Sequence, residues 1–469
     1  GKAMTTGVQN TIIGGLAGDA LAGGDNNTVL GYNAMGAANG SESRNVAIGS
    51  NALAAMDSDA SNYNVAVGYD AGAAVTTGTA NTLIGALAGD AMLGASNNTA
   101  LGYAAMGATT TGDLNVAIGD NAMLTNTTGD RNVAVGSGSL YTMNPASNVD
   151  MYNTAVGFNS GYAITTGTGN TLIGGLAGDS ITTGTNNVAI GYLSLRNEDA
   201  YGHNVAVGHG ALMLLDAAAD AFNVAIGHEA GKAATTGIEN TLIGSLAGDA
   251  LTSGSRNTAI GYGALSAEDA HGHNVAIGRN ALLVLNAGAD GHNVAIGSSA
   301  GEALSTGVEN TLIGYQAGVA LTTGDNNIVI GNDASASAVD VSNEITLGDA
   351  NISAFRCADQ SIAALSDGRD KTNVQDSSYG LEFINTIRPV EFTWDFRPEN
   401  MAEAKQGKKR VGFIAQELQE AMPNSENEIL DLVYSVSDER IEAKYGNLIP
   451  ILVKAVQDLS EKVKALENK

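Results

Sequence analysis

A single short pattern of apolar and polar positions repeats through the first three quarters of the chain. Each copy has Asn, usually Thr or Val, one further residue, Ile, Leu or Val, and then Gly, as in "NVAIG" at residues 45–49. Most copies follow one another after 17 residues, and the other steps are 18, 19 or 21 residues. They begin at Asn10, Asn27, Asn45, Asn64, Asn81, Asn98, Asn115, Asn132, Asn153, Asn170, Asn187, Asn204, Asn223, Asn240, Asn257, Asn274, Asn293, Asn310 and Asn327, with a degenerate copy at residues 344–348. Because a period that short holds one strand and its return, each unit is predicted to form one coil of a parallel β-solenoid.

The apolar residues of each copy alternate as they do along a strand. Val46 and Ile48 lie two residues apart and share one strand face, whereas Ala47 presents a small apolar group to the other face. We therefore expect both faces to be buried, with an Ala-rich stripe on the outside of the coil. A single chain would leave that stripe in water, which favours trimerisation.

The residues after each strand also repeat. Ala or Ser stands three residues after the closing Gly, and the next position usually holds Gly, Leu or Met, which predicts a tight corner between close backbones. That next position reads Gly18, Met35, Leu53 and Gly72 in the first four coils, and similar blocks of about 70 residues follow. The order indicates duplication of a four-coil cassette, with one extra coil in the second block and little room for an inserted catalytic loop.

The "NVAIG" strands followed by a small residue resemble the head repeats of trimeric autotransporter adhesins, whose coils are typically shorter. The resemblance covers roughly residues 8–350 and implies a parallel β-roll shared by three chains. We therefore predict a mainly β fold. Residues 1–350 would form a trimeric parallel β-roll or β-solenoid of about 17-residue coils, which is the stalk and receptor-binding region.

Composition and charge narrow the function classes. The chain of 469 residues has 61 Gly, seven Phe and one Trp, which argues against a single large aromatic core. Its net charge of −27 argues against nucleic acid and anionic membranes as partners. No apolar run approaches the length of a membrane span, so membrane insertion is not expected. The single cysteine, Cys357, excludes an intrachain disulfide and a Cys-based zinc site within one chain.

Several recurring polar residues of the array allow both a structural and a functional interpretation. The Thr pairs could form an ice-binding face, but they precede Gly and skip coils, which favours a role in turns. Asp25 and Asp325 could bind calcium, although equivalent positions hold Thr185 and Ser255, which favours a structural role. The pairs are Thr76–Thr77, Thr165–Thr166, Thr182–Thr183, Thr235–Thr236 and Thr322–Thr323.

Aromatic residues give two further alternatives. "HGH" at residues 271–273 is similar to the His-x-His metal sites of some trimeric phage fibres, but its place before a strand favours a solvated loop for His271 and His273. The tyrosines that directly follow the strand Gly could form a sugar-stacking stripe, but a packed or partly exposed aromatic ladder is the favoured interpretation. These tyrosines are Tyr32, Tyr69, Tyr103, Tyr192, Tyr262 and Tyr315.

The last quarter of the chain is a separate unit by composition. Residues 358–469 hold 14 of the 22 Lys and Arg and four of the five prolines. The motifs "SDGRDKTNV" (366–374), "GLEFINTIRPVEFTWD" (380–395), "RVGFIAQELQEAMP" (410–423) and "YGNLIPILVKAVQDLSEKVKALE" (445–467) resemble the S74 peptidase family, the intramolecular chaperones of phage tail fibres and tailspikes. This resemblance implies a small α+β domain at residues 366–469 that promotes trimerisation and then cleaves itself from the fibre. Residues 351–365 would be a linker that carries the cleavage junction.

The resemblance assigns catalytic roles to two residues. Ser366 would attack the carbonyl carbon of Leu365, so that the Leu365–Ser366 bond is cleaved, and Lys371 would be the base. A lysine accepts a proton only when it is neutral, which requires desolvation or a nearby cation. The chain departs from the family pattern at Asp370, where an apolar residue is usual, because a carboxylate beside the lysine favours its protonated form.

The chain ends in a pattern that predicts an amphipathic helix. Leu452, Val456, Leu459, Val463 and Leu466 follow the 4-3-4-3 spacing of a short coiled coil. A helix that packs on its own domain would look similar. The family resemblance favours three such helices that meet in a trimer.

Together these features predict the distal part of a phage tail fibre, a virion protein that is assembled in the host cytoplasm and attaches to the host-cell surface. The expected partners are two further copies of the chain, a host receptor that is a glycan or an outer-membrane protein, and other tail proteins. No cofactor or metal is expected, and catalysis is limited to self-cleavage without turnover of an external substrate. One alternative is a bacterial trimeric surface adhesin, which we would expect to end in membrane-anchoring strands rather than a charged helix. Another is a tailspike glycan depolymerase, although no pair of carboxylates stands out in the sequence.

Overall fold

A computed structural model describes residues 1–352, 354, 356, 366–395, 407–422, 427–437 and 440–468. Within these residues, twenty short parallel strands form one continuous sheet, and β8 and β10 form a separate parallel pair beside it. The strands of the first part are β1 (Thr11–Ile13), β2 (Thr28–Leu30), β3 (Val46–Ile48), β4 (Val65–Val67), β5 (Thr82–Ile84), β6 (Thr99–Leu101), β7 (Val116–Ile118), β8 (Gly129–Asp130), β9 (Val133–Val135), β10 (Val149–Asp150), β11 (Thr154–Val156), β12 (Thr171–Ile173), β13 (Val188–Ile190), β14 (Val205–Val207), β15 (Val224–Ile226), β16 (Thr241–Ile243), β17 (Thr258–Ile260), β18 (Val275–Ile277), β19 (Val294–Ile296), β20 (Thr311–Ile313), β21 (Ile328–Ile330) and β22 (Ile345–Leu347).

Each strand of the sheet pairs with the strand of the next coil in the register that the repeat predicts. Thr11 pairs with Thr28, for example, and Ile13 pairs with Leu30, so the sequence motifs lie directly above one another. One strand per coil and a step of about 17 residues confirm the predicted parallel β-solenoid.

The middle residue of each strand points into the solenoid. Ala47 is fully buried, whereas its neighbours Val46 and Ile48 are partly exposed. The prediction of an Ala-rich outer stripe is therefore wrong, because the methyl groups of the alanines fit the narrow interior and the branched side chains remain outside. The outer stripe consists instead of Val, Ile, Leu and Thr.

A ladder of buried asparagines runs through the interior beside the strands. At every step the backbone N–H of one ladder residue donates to the side-chain Oδ1 of the previous ladder Asn, over 2.8 to 3.2 Å. The amide of Asn81 also donates to the carbonyl of Ala95 at 2.7 Å, which closes the far side of its own coil. Because each buried donor and acceptor finds a partner, the Asn at the start of every motif has a structural role.

The last member of the ladder is Glu344 in the degenerate copy. Its backbone N–H donates to Asn327 Oδ1 at 3.0 Å, as in the other coils. Its carboxylate accepts hydrogen bonds from Thr346 Oγ1 at 2.8 Å and from Tyr434 Oη at 3.3 Å, and Tyr434 belongs to the C-terminal unit. Burial raises the pKa of Glu344, but these hydrogen bonds and those of Ser337 outweigh burial and lower the pKa below its ordinary value.

The predicted tight corner follows each strand. Gly49 has a φ of +136°, and a β-carbon there would collide with the carbonyl of Gly68 in the next coil. Ala52 is fully buried at the turn, and Leu53 follows it with a φ of +51°. A leucine in the left-handed region is strained by roughly 1–2 kcal/mol, and the burial of its side chain in the interior offsets that strain.

The described residues of the C-terminal unit form two antiparallel hairpins and four α-helices. Its hydrophobic core contains Phe383, Met422, Leu430, Leu432, Leu448 and Ile451. The elements are a 3₁₀ turn (Gly368–Asp370), α1 (Leu381–Ile384), β23 (Val390–Thr393), β24 (Lys409–Gly412), α2 (Ala415–Ala421), α3 (Asn427–Leu430), β25 (Val433–Ser437), β26 (Arg440–Ala443), a second 3₁₀ turn (Tyr445–Asn447) and α4 (Leu448–Glu467).

Helix α4 has two different apolar faces. Leu448, Ile451 and Ala455 are buried against the domain. The stripe with heptad spacing lies on another face, where its five side chains are 45 to 70% exposed: Leu452, Val456, Leu459, Val463 and Leu466. In the part of the domain that the structure describes, this stripe does not pack on its own domain, and a coiled coil remains a prediction. Over the residues that the structure describes, every helix is too short or too polar to cross a membrane.

Candidate functional site

The 3₁₀ turn brings the two predicted catalytic residues together. Asp367 begins the turn and accepts the backbone N–H of Arg369 at 2.9 Å, so the chain reverses within five residues. Lys371 Nζ consequently lies 2.5 Å from Ser366 Oγ. The side chain of Arg369 pairs with Asp367 at 2.5 Å, and this hydrogen bond lowers the pKa of Asp367.

The site is open to solvent in the single chain. Ser366, Asp370 and Lys371 are all exposed, and Asp370 ends the 3₁₀ turn directly before the lysine. Leu365, the other residue of the predicted scissile bond, lies outside the described residues, as does Cys357.

Hydrogen bonds link the separate motifs of the C-terminal unit. Asp458 of α4 accepts the backbone N–H of Leu381 at the start of α1, over 3.1 Å, and also pairs with Lys454. Arg388 forms an ion pair with Glu417 of α2. The second, third and last motifs therefore belong to one folded unit.

Comparison with known families gives a match for this unit. Residues 366–425 match the peptidase S74 family, described as the chaperone of endosialidase. The matched S74 segment begins at Ser366 and includes the Ser366–Lys371 contact, the first hairpin and α2. Among curated proteins, none matches the chain at a significant level. A solenoid of 17-residue coils followed by the S74 segment fits a tail fibre with a C-terminal intramolecular chaperone.

The Thr pairs of the solenoid have the structural role that the sequence favoured. Thr165 Oγ1 donates to the carbonyl of Thr182 at 3.2 Å, and Thr182 Oγ1 donates to the carbonyl of Asp199 at 2.9 Å. The first hydroxyl of these pairs thus links one coil to the next. Hydroxyls held in this way are not free to form an ice-binding face.

The two aspartates that were considered for calcium also bind backbone. Asp25 Oδ1 accepts the N–H of Val8 at 2.7 Å, and Asp325 Oδ1 accepts the N–H of Val308 at 2.9 Å. At an equivalent position, Ser255 Oγ accepts the N–H of Ile238 at 3.1 Å. A serine can replace the aspartate because the role requires only one acceptor.

His271 and His273 have separate partners within one chain. His271 Nδ1 lies 3.3 Å from Glu268 Oε1, where Asp269 is also close enough to share a metal ion. The ring of His273 stacks on His292 with 5.0 Å between the ring centres. The two imidazoles therefore do not converge on one point in the single chain.

One cluster of carboxylates was missed by the sequence analysis. Oxygen atoms of Glu198, Asp199 and Asp216 lie within 4.8 Å of one another. Glu198 is fully buried, and its carboxylate accepts backbone N–H groups of Tyr201 at 3.2 Å and Ala217 at 3.4 Å. The sequence did carry a signal for this cluster, because Glu198 occupies a repeat position that holds Leu, Met or Ile in most coils. Since Glu198 is enclosed and bound to backbone, the cluster does not form a glycosidase acid–base pair.

Proposed function

We propose that this chain is the distal part of a homotrimeric phage tail fibre that attaches the virion to the host-cell surface. The observation that carries this proposal is the S74 segment that follows a solenoid of twenty paired strands. The chaperone domain drives trimer assembly and then separates from the stalk by cleavage at Leu365–Ser366.

Two unpartnered apolar surfaces support a trimer. The outer faces of the strands form a long stripe of Val, Ile, Leu and Thr, in which Leu30 and Leu101 are each 43% exposed. The heptad stripe of α4 is a second such surface. Contiguous apolar surface of this extent marks an interaction site in a soluble protein, and a second and third copy of the same chain offer matching stripes.

The contact between Ser366 and Lys371 supports self-cleavage. Lys371 in its neutral form would take the hydroxyl proton of Ser366, and Oγ would attack the carbonyl carbon of Leu365. The peptide C–N bond breaks, the amine of Ser366 takes up the proton, and an ester joins Leu365 to the serine oxygen. Water then hydrolyses the ester, which leaves a new carboxylate on Leu365 and a free Ser366.

Exposure of Lys371 in one chain suggests when this reaction occurs. The lysine becomes a base only when it is removed from water or approached by a cation. Neighbouring chains that cover Lys371 in the trimer would supply this desolvation. Cleavage would therefore follow assembly, and the charge of Asp370 would slow it.

Mass spectrometry of the full chain after expression tests the dyad. We expect two fragments, one that ends at Leu365 and one that begins at Ser366. Ser366→Ala and Lys371→Ala should abolish cleavage while the trimer still assembles, and Lys371→Arg should not restore it because guanidinium stays protonated. The control Ser377→Ala changes an exposed serine of the same segment and should cleave normally. Cleavage that persists in Ser366→Ala would exclude the mechanism.

A second pair of variants tests the account of Asp370. Asp370→Leu removes the carboxylate next to the base, so the cleavage rate should rise. Asp376→Leu, an exposed acid five residues beyond the lysine, is the matched control and should leave the rate unchanged. If Asp370→Leu cleaves no faster than the native chain, Asp370 has no influence on the base.

A further inference from the structure

One row of aromatic side chains remains exposed along the solenoid. The rings occupy the position directly after the strand Gly, at the first residue of the corner. Each of these side chains is 51 to 60% exposed, so the rings are not packed in a closed ladder. The row contains Tyr32, Tyr69, Tyr103, Phe158, Tyr192, Tyr262 and Tyr315.

Small residues separate the first three rings of this row. Gly15 precedes Tyr32 by one coil, Ser50 follows it by one coil, and Ala86 lies between Tyr69 and Tyr103. The edge of the Tyr32 ring extends over Gly15, where a β-carbon would lie 3.6 Å from Cδ2. Tyr32 and Tyr69 are thus separate platforms with a shallow gap on either side, whereas Tyr192 contacts the ring of His209 in the next coil.

The spacing of the platforms suits a linear polymer that lies along the solenoid axis. Tyr32, Tyr69 and Tyr103 are each two coils apart. Since neighbouring parallel strands are about 4.8 Å apart, two coils separate the rings by roughly 10 Å. That distance is close to the length of a disaccharide unit, so alternate sugars of one chain could each meet a ring.

Polar side chains lie next to the first two platforms. Asn33 Nδ2 donates to Asn51 Oδ1 at 3.0 Å, and Asn51 Nδ2 donates to Asp70 Oδ1 at 2.8 Å. These residues follow the ring position in three consecutive coils. Amide and carboxylate groups beside an aromatic ring are the combination that binds both the apolar face and the hydroxyls of a sugar.

Charge decides the class of polymer. Residues 1–357 contain 29 Asp and Glu but only eight Lys and Arg. Such a surface repels acidic polysaccharides and nucleic acids. We propose that the row beginning with Tyr32 and Tyr69 binds a neutral polysaccharide of the host surface, laid along the solenoid with its sugar rings stacked on the aromatic platforms. This inference rests on the proposed function in host attachment and specifies its ligand class.

The direct test measures binding of the full-length protein to immobilised neutral glucan, mannan and galactan, with polygalacturonate as the acidic control. At least one neutral polymer should bind, and polygalacturonate should not. The double substitution Tyr32→Ala/Tyr69→Ala should weaken binding by about fivefold or more, because two aromatic stacking contacts are lost. Tyr32→Phe/Tyr69→Phe should keep most of the affinity, since the stacking face remains.

Tyr63→Ala is the matched control. Tyr63 is 56% exposed in the same part of the solenoid, but it precedes the ladder Asn and contacts Arg44 instead of belonging to the row. Its removal should leave binding unchanged. Equal loss in Tyr63→Ala and in the double variant would overturn the proposal, as would a change in the trimer mass of the double variant in sedimentation, which would identify the row as an interface between copies.

Adsorption to a panel of bacterial strains separates this inference from the proposed function. If the native protein adsorbs to no strain, attachment itself fails. If it adsorbs but periodate oxidation of the cells and the double substitution have no effect, attachment stands and the polysaccharide row is refuted. Loss of adsorption in both treatments supports the row.

Discussion

Glu198 is a charged residue that is accommodated in the interior of the solenoid. It stands in a row that is apolar in most coils, and its side chain is fully buried. Burial raises the pKa of Glu198 to about 7, although the N–H groups of Tyr201 and Ala217 act in the opposite direction, and the nearby Asp216 and Asp199 raise it further. The two backbone donors explain why a carboxylate is tolerated there, since an apolar side chain would leave them without an acceptor.

This shift predicts a pH dependence of stability. The folded pKa of about 7 is above the ordinary value of 4.5, so between these pH values the folded state holds a proton that the unfolded state has released. The free energy of unfolding should therefore fall as pH rises from 4.5 to 7, by no more than about 3 kcal/mol. Glu198→Gln cannot titrate, so the substitution should destabilise the protein more at pH 5 than at pH 8 in thermal unfolding.

The control for this experiment is Glu309→Gln, which changes an exposed glutamate of the same solenoid. Its effect on the melting temperature should be the same at both pH values. An effect of Glu198→Gln that is also independent of pH would show that the buried carboxylate does not exchange a proton in this range.

At the residue scale, the sequence was informative where a motif specifies local geometry. The family motif predicted that Ser366 and Lys371 act together, and a short turn does place their side chains in contact. The role of the ladder asparagines was missed because their partners lie one coil away. The repeat shows that Asn is required, but a hydrogen bond to the next coil becomes visible only when the register of the strands is known.

At the scale of the coil, the four-coil order of the corner residues has a packing explanation. Where the strand centre is Leu, the corner residues of the same and the preceding coil are Gly. Leu242 Cδ1 lies 2.6 Å from the position of a β-carbon on Gly231, and its Cδ2 lies 2.8 Å from one on Gly248. The same arrangement surrounds Leu83, Leu172 and Leu312. Where the strand centre is Ala, a buried Leu or Met at the corner of the same coil usually fills the space.

A double-mutant cycle tests this complementarity. Gly248→Leu should destabilise the solenoid by about 1–3 kcal/mol through overpacking, and Leu242→Ala by about 2–5 kcal/mol through a cavity. The double variant recreates the Ala and Leu combination of Ala259 and Leu265, which are both buried in the next coil. Chemical unfolding should therefore show the double variant to be more stable than the sum of the two single losses predicts.

An additive result would mean that the two positions do not share one space. Leu265 adopts a φ of +54° at the equivalent corner and Gly248 has a φ of +56°, so a leucine can be accommodated there. Its backbone strain is present in both the single and the double variant and cancels in the cycle. A matched control is Gly94→Leu. The position of a β-carbon on Gly94 lies 3.5 Å from Thr77 Oγ1, so Leu242→Ala should not rescue that variant.

The sequence predicted the coil but not the orientation of its strand. A period of 17 residues is short enough to require a solenoid, which made the fold class accessible. The alternation of side chains along the strand does not indicate which face is inside, because both faces of "NVAIG" are apolar. Inside the coil, the strand, the asparagine ladder and the corner lie so close together that the small methyl group of Ala47 fits at the strand centre. This narrow space exists only in the folded coil, so the sequence alone does not reveal it.

For the whole molecule in the proposed trimer, the main difficulty would be the alignment of three long repetitive chains. Each coil resembles its neighbours, so a chain displaced by one coil would still form plausible contacts with its partners. Slow non-local association and exposed strand edges favour misassembly during folding. A chaperone domain at one end, with its own helix for trimerisation, would fix the register of the three chains at that end before the coils associate.

We therefore expect residues 1–365 expressed alone to be insoluble or unassembled. The full chain with Ser366→Ala is the matched control, since it retains the domain without cleavage and should form soluble trimers. Proteolytic removal of the domain after assembly should leave the stalk trimer intact. Equal yields of soluble trimer with and without residues 366–469, measured by sedimentation, would refute the chaperone role.

Glu344 has a consequence for how long such a fibre can grow. A ladder of identical coils could in principle recruit another molecule at its open end and polymerise, as edge strands do in aggregates. At Glu344 the amide of the ladder is replaced by a carboxylate whose lowered pKa keeps it charged at neutral pH, and its oxygens are taken by hydroxyls of its own chain. An incoming coil would meet a partly buried charge there in place of a free amide. If this end does stop the addition of further molecules, the number of coils encoded in one chain sets the length of the solenoid, whatever the concentration of subunits.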